Sequence, residues 1–95
     1  ATYYGGRFHG EQTASGEIFD KFSLTAAHPD LPFGAKVRVT SLSNGKTVTV
    51  RINDRLPEKR HNIIDLSYKA GRQIGILVRG IVPVKLEFLT RGRQR

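Results

Sequence analysis

Two stretches of strict alternation dominate residues 36–52. Lys36-Val37-Arg38-Val39-Thr40 places an apolar side chain at every second position, and Lys46-Thr47-Val48-Thr49-Val50-Arg51-Ile52 does so again. Successive side chains of a strand point to opposite faces, so this period buries one face and wets the other. Ser43-Asn44-Gly45 stands between the runs and reads as a turn, because Asn and Gly accept the backbone that a tight reversal needs. The pattern predicts an antiparallel hairpin. A hairpin alone cannot bury its apolar face, so the rest of the 95 residues must cover it.

The rest supplies short elements of the same kind. Tyr3 and Tyr4 favour a first strand, followed by a Gly-, Thr- and Ser-rich loop up to residue 20. Residues 23–27 suit a second strand, closed by the turn His28-Pro29-Asp30. Residues 57–62 form a charged loop, and 63–66 a short run that is apolar except for Asp65. Ser67 reads as the N-cap of a two-turn helix over 68–74 that Gly75 ends. Residues 83–89 alternate once more, with Val84, Leu86 and Phe88 on one face. About six strands and one short helix, too closely spaced for βαβ units, predict an all-β fold. A small closed or nearly closed β-barrel is the expected form, since closure removes exposed edges. Phe33-Gly34 followed by Val37 and Val39 faintly echoes Arg79-Gly80 followed by Val84 and Leu86, which suggests two related halves.

A chain this short makes one domain, read as 1–90 with a basic tail at 91–95. It has no Cys, which excludes a disulfide framework, a thiolate nucleophile and a zinc finger. No apolar run is long enough for a transmembrane helix. His9, His28 and His61 lack metal-ligand spacing, and the glycines match no phosphate-binding loop, so no metal and no cofactor is expected. Sixteen Lys and Arg against eight Asp and Glu give a net charge of +8, which asks for an anionic partner. A nucleic-acid-binding barrel is allowed by that charge. It lacks the aromatic platforms of single-strand binders, with aromatics at 8%.

In so basic a chain each acid is informative. Glu11, Asp30, Glu58 and Glu87 stand in polar or alternating contexts and read as solvated. Three others stand differently. Glu17 follows the small-residue loop Thr13-Ala14-Ser15-Gly16, Asp54 ends the second hairpin strand, and Asp65 lies between Ile64 and Leu66. An acid flanked by Ile and Leu, as Asp65 is, is expected to be partly desolvated, which raises its pKa toward general-acid use. The structural readings stay open beside this one. Asp54 is also compatible with a turn carboxylate paired to Arg51 and Arg55, Asp65 with a helix cap, and Glu17 with a loop residue bonded to backbone.

The ordered motifs are specific. Tyr3-Tyr4-Gly5, Phe8-His9-Gly10 and Thr13-Ala14-Ser15-Gly16-Glu17 come first. Leu24-Thr25-Ala26-Ala27-His28, Leu31-Pro32-Phe33-Gly34, Val50-Arg51-Ile52-Asn53-Asp54-Arg55 and Ile63-Ile64-Asp65-Leu66-Ser67 follow. Together they resemble the rare lipoprotein A family of bacterial cell-envelope proteins over residues 2–89. The resemblance implies a six-stranded double-psi β-barrel, a periplasmic, outer-membrane-associated or secreted setting, and peptidoglycan as partner. It implies a lytic transglycosylase acting on peptide-stripped glycan strands, with Asp54, Glu17 and Asp65 as catalytic residues. Tyr4, Thr25, His28, Arg51 and Arg55 are then expected to bind substrate, and the chain to be a monomer with no nucleic-acid partner. A non-catalytic, expansin-like wall-loosening module is the alternative, since expansins share this barrel.

Two departures stand out. Many members carry Gly-Pro after the Asn-Asp-Arg segment, where this chain has Leu56-Pro57. A mature lipoprotein also begins with a lipidated Cys. Its absence here points to an excised domain or an unlipidated secreted relative.

Overall fold

The computed structural model describes residues 2–3, 10–56, 63–76 and 82–91. Among these, six strands and a short helix follow in order: β1 (Thr2–Tyr3), β2 (Thr25–His28), β3 (Lys36–Ser41), β4 (Thr47–Arg55), β5 (Asp65–Leu66), α1 (Tyr68–Gln73) and β6 (Val84–Thr90). The expected charged loop at 57–62, and Tyr4, His9 and His61, lie outside the described residues.

The hairpin forms as the alternation requires. β3 and β4 pair antiparallel from Lys36↔Arg51 to Thr40↔Thr47. Val37, Val39, Val48, Val50 and Ile52 are buried, whereas Lys36, Arg38, Thr47 and Thr49 are exposed. Each buried aliphatic side chain contributes roughly 1.5–3 kcal/mol relative to exposure. Ala26 of β2, Leu66 of β5, Ala70 and Ile74 close the same core, with Ile64, Ile76 and Val82.

The strands form one mixed sheet in the order β1-β5-β2-β4-β3-β6. β2 runs parallel to β4 and antiparallel to β5, and β1 runs parallel to β5. Among the described residues β1 and β6 are the two ends of the sheet, which fits the nearly closed form of the expected barrel. The sheet still curls around its core: the radius of gyration is 12.0 Å, against about 12 Å for a compact domain of this length.

Two local contacts tie the helix to the sheet. Ser67 caps α1 by accepting a hydrogen bond from Ala70 N, and its Oγ donates to Ser23 O at 2.6 Å. At the other end Gly75 takes φ +79°, and Asn44 of the hairpin turn donates to Ile74 O at 3.1 Å. A Cβ on Gly75 would meet Asn44 Nδ2 at 3.2 Å, so both the backbone angle and the space call for glycine there.

Candidate active site

The site begins with an irregularity in β4. β2 and β4 pair as Thr25↔Arg51 and Ala26↔Ile52, and then as Ala27↔Asp54. Asn53 is therefore an extra residue, a bulge. Without it Asp54 would share the core face of Ile52. With it, Asp54 is turned to the side of the sheet that carries Arg51. Ala27 is also the partner of Asp65 on β5. Asp54 and Asp65 thus occupy one row across three strands, with Ala27 between them. Strands lie about 4.8 Å apart, so their Cα atoms stand roughly 10 Å apart. Both residues are half-buried.

Glu17 reaches the same strand from the loop before β2. A turn over 13–16 positions it: Gly16 N donates to Thr13 O at 3.0 Å, and Gly16 takes φ +93°. Thr13 donates from both N and Oγ1 to Glu17 O, at 2.7 and 3.1 Å. The turn docks on the bulge, with Ser15 N donating to Asn53 O at 3.2 Å and Ala14 N to Asp54 Oδ1 at 3.0 Å. Arg55 N donates to the same Asp54 oxygen at 2.9 Å. One loop therefore positions both Glu17 and Asp54.

The Glu17 carboxylate receives two nitrogens of Arg51, Nη1 on Oε2 and Nη2 on Oε1, the latter at 3.0 Å, and Asn53 Nδ2 at 3.3 Å. The Arg51 hydrogen bonds hold its carboxyl below the ordinary value of 4.5, against a smaller opposing effect of burial and with help from Asn53 and the Arg51 charge. Glu17 is an anion at neutral pH.

His28 ends β2 opposite Arg55. Its Nδ1 accepts from Asp30 N and Leu31 N, both at 3.2 Å, which places the ring proton on Nε2. Asp30 Oδ1 also lies 3.2 Å from Nδ1, an ion pair only if the ring is protonated. Burial disfavours that charge and pushes the His28 pKa below 6.5. The Asp30 carboxylate opposes the shift and Arg55 adds to it. The Arg55 guanidinium stacks on the Phe33 ring, 4.1 Å from its centre. Thr25 is buried, and its hydroxyl finds no hydrogen-bond partner among the described residues.

Glu17, Arg51, Asp54 and Asp65 are thus gathered on β4, on β5 and on the loop that docks on β4, and Thr25 and His28 lie on the strand between β4 and β5. Three contributors are not evident from sequence. Asn53 makes the bulge and bonds Glu17, Ala14 lends its backbone N–H, and Phe33 supports Arg55. Asn53 gives no local signal, because a polar residue after Ile52 simply continues the alternation. Among the described residues no group of three or more His, Asp and Glu is placed to hold a metal ion.

Residues 1–86 match the sequence profile of the lytic transglycolase family, a double-psi β-barrel domain. This chain belongs to that family. Among curated proteins, the endolytic peptidoglycan transglycosylase RlpA of Vibrio cholerae is 48% identical over 90 residues, 95% of this chain and 34% of that protein. RlpA of Neisseria meningitidis, under the same name, is 46% identical over 93 residues, 98% of this chain and 39% of that protein. The probable endolytic peptidoglycan transglycosylase RlpA of Synechocystis is 52% identical over 89 residues, 94% and 28%. This member of the lytic transglycolase family therefore spans about a third of the length of such relatives. Among solved structures, the Streptomyces papain inhibitor superposes with a TM-score of 0.73 at 27% identity, covering 93% of this chain and 88% of that one. The all-β, double-psi β-barrel expectation holds. No helix among the described residues is long and apolar enough to cross a membrane.

Proposed function

We propose that this domain cleaves the bond between N-acetylmuramic acid and N-acetylglucosamine in peptide-stripped glycan strands, leaving 1,6-anhydro ends. The observation that carries the reading is the row Asp54–Ala27–Asp65, with the Glu17 carboxylate held from its loop by Arg51, on the same strand as Asp54. Family membership and the relatives' names support it.

In the proposed reaction the Asp54 carboxyl gives its proton to the bridging oxygen, which leaves as the 4-hydroxyl of N-acetylglucosamine. Positive charge develops at C1 of the muramoyl sugar. An anionic carboxylate next to it stabilises that charge, and Glu17 is suited to this because Arg51 and Asn53 keep it ionised. The muramoyl 6-hydroxyl then attacks C1 and returns its proton to Asp54. Attack within one sugar carries little entropic cost, and no water is consumed. Asp65, across Ala27, is assigned to positioning the sugar. Tyr4, His28, Arg51 and Arg55 are assigned to the binding surface, with neutral His28 offering Nε2–H as a donor, whereas the burial of Thr25 assigns it to packing beneath that surface. The proposed place of action is the cell envelope, where such glycan lies.

A non-catalytic glycan-binding role is the second reading. The same fold occurs in a protein named as an inhibitor, so the barrel alone does not carry catalysis. Incubating the protein with amidase-stripped glycan and analysing the products by mass spectrometry separates the two. Anhydro-muramoyl ends support cleavage; retained binding without them supports the second reading.

A further inference from the structure

A second feature lies outside the carboxylate row. Phe22, 58% exposed, and Tyr68 at the start of α1 meet edge to face, with ring centres 6.4 Å apart and planes at 88°. They form two walls of an open depression of about 190 Å³, completed by Lys69 and Arg72. Lys21 Nζ stands 5.1 Å from the Phe22 ring centre and 5.8 Å from that of Tyr68. Among the described residues no carboxylate lines the depression. Asp20, beside it in sequence, is turned into its own loop, accepting from Phe22 N at 2.9 Å and Ser23 Oγ at 3.2 Å.

The chemistry on offer is specific. Aromatic walls pack against the C–H face of a pyranose ring. Lys and Arg beside them add charge-assisted bonds to an anion. The volume is below the roughly 300–1,000 Å³ of pockets for drug-sized ligands and suits one sugar ring. The depression is built from the segments just before β2 and just after β5, the strands that carry Ala27 and Asp65. Tyr68 follows Asp65 by three residues, Lys69 N donates to Lys21 O at 2.9 Å, and Ser67 Oγ bonds Ser23 O two residues before Thr25.

We propose that Phe22, Tyr68, Lys69 and Arg72 form an additional subsite that binds a carboxylate-bearing sugar, the lactyl carboxylate of a muramoyl unit, on the strand that occupies the carboxylate row. This rests on the reading of the domain as one that acts on peptidoglycan. Part of the +8 charge thereby acquires a defined role, the selection of stripped muramoyl strands over neutral polysaccharide.

Binding is measured for two ligands, peptide-stripped glycan strands and the same strands with their lactyl carboxylates reduced to alcohols. The Lys69→Gln/Arg72→Gln variant is expected to bind native strands about tenfold more weakly than the parent protein and reduced strands equally well. Phe22→Ala, at an exposed position that leaves the core intact, is expected to weaken both ligands several-fold. Native binding unchanged in the double variant, or equal binding of the two ligands by the parent protein, overturns the subsite. So does a single-stranded oligonucleotide that displaces native glycan at lower concentration than free glycan does. The two claims fail separately. Anhydro ends from the parent protein with unchanged binding in the variants sink the subsite alone. Selective binding without anhydro ends sinks the cleavage reading alone.

Discussion

Arg51 grips Glu17 with two nitrogens of its guanidinium, across 34 positions of sequence. The pair fixes the loop before β2 onto β4 and keeps one site carboxylate charged. Its pH signature follows from the direction of the shift. A carboxyl whose folded pKa lies below its ordinary 4.5 stabilises the fold fully above that value. The stabilisation is lost as pH falls through the folded pKa. Both partners are about two-fifths exposed, at 39% and 41%, so solvent screening limits the contribution to under about 1 kcal/mol. Urea unfolding at neutral pH is expected to show Glu17→Gln less stable by up to that amount. The gap should close below the carboxylate range and shrink in high salt. A gap that persists in acid contradicts the pairing.

His28 predicts a second pH effect. Its folded pKa is pushed below 6.5, chiefly by burial. The unfolded chain therefore binds the proton more readily, and the native state loses stability as pH falls from 6.5 toward the folded pKa. Above that window the loss is absent, and below the folded pKa it is complete. His28→Gln is expected to flatten the pH dependence of stability there, as read by denaturant titrations at stepped pH. An unchanged slope contradicts a neutral, half-buried His28.

Ser67 joins three elements. Its Oγ receives Ala70 N at 3.3 Å and Thr25 N at 3.4 Å and donates to Ser23 O. Ser67→Ala removes the cap and leaves buried backbone groups unpaired, a loss of about 1–3 kcal/mol. Thermal or chemical unfolding checks this; a loss of under about 0.5 kcal/mol rejects the joining role.

Much of this architecture is legible in the residues. The hairpin follows from the alternation of valines, and the helix from Ser67 and Gly75, because both signals are local. The row of Asp54 and Asp65 is not local. It depends on Asn53 slipping the β2–β4 register, and a one-residue slip reverses which face a side chain takes. Alternation alone puts Asp54 with Ile52, on the buried side. Likewise nothing beside Glu17 in sequence reveals that its charge is governed by Arg51, from another segment. The three acids could be named from sequence, but their grouping needed the parallel β2–β4 pairing, which no local pattern encodes.

The most direct test of the account is the cleavage of peptide-stripped glycan by Asp54→Asn, with anhydro-muramoyl ends counted by mass spectrometry. Asn keeps the side-chain oxygen that accepts from Ala14 N and Arg55 N but cannot exchange a proton at neutral pH. General acid–base catalysis is worth about 10²–10⁴-fold, so the predicted result is at least a hundredfold fewer ends, with glycan binding and melting temperature unchanged. Cleavage by Asp54→Asn at the rate of the parent protein would contradict the assignment of Asp54 and, with it, the proposed mechanism.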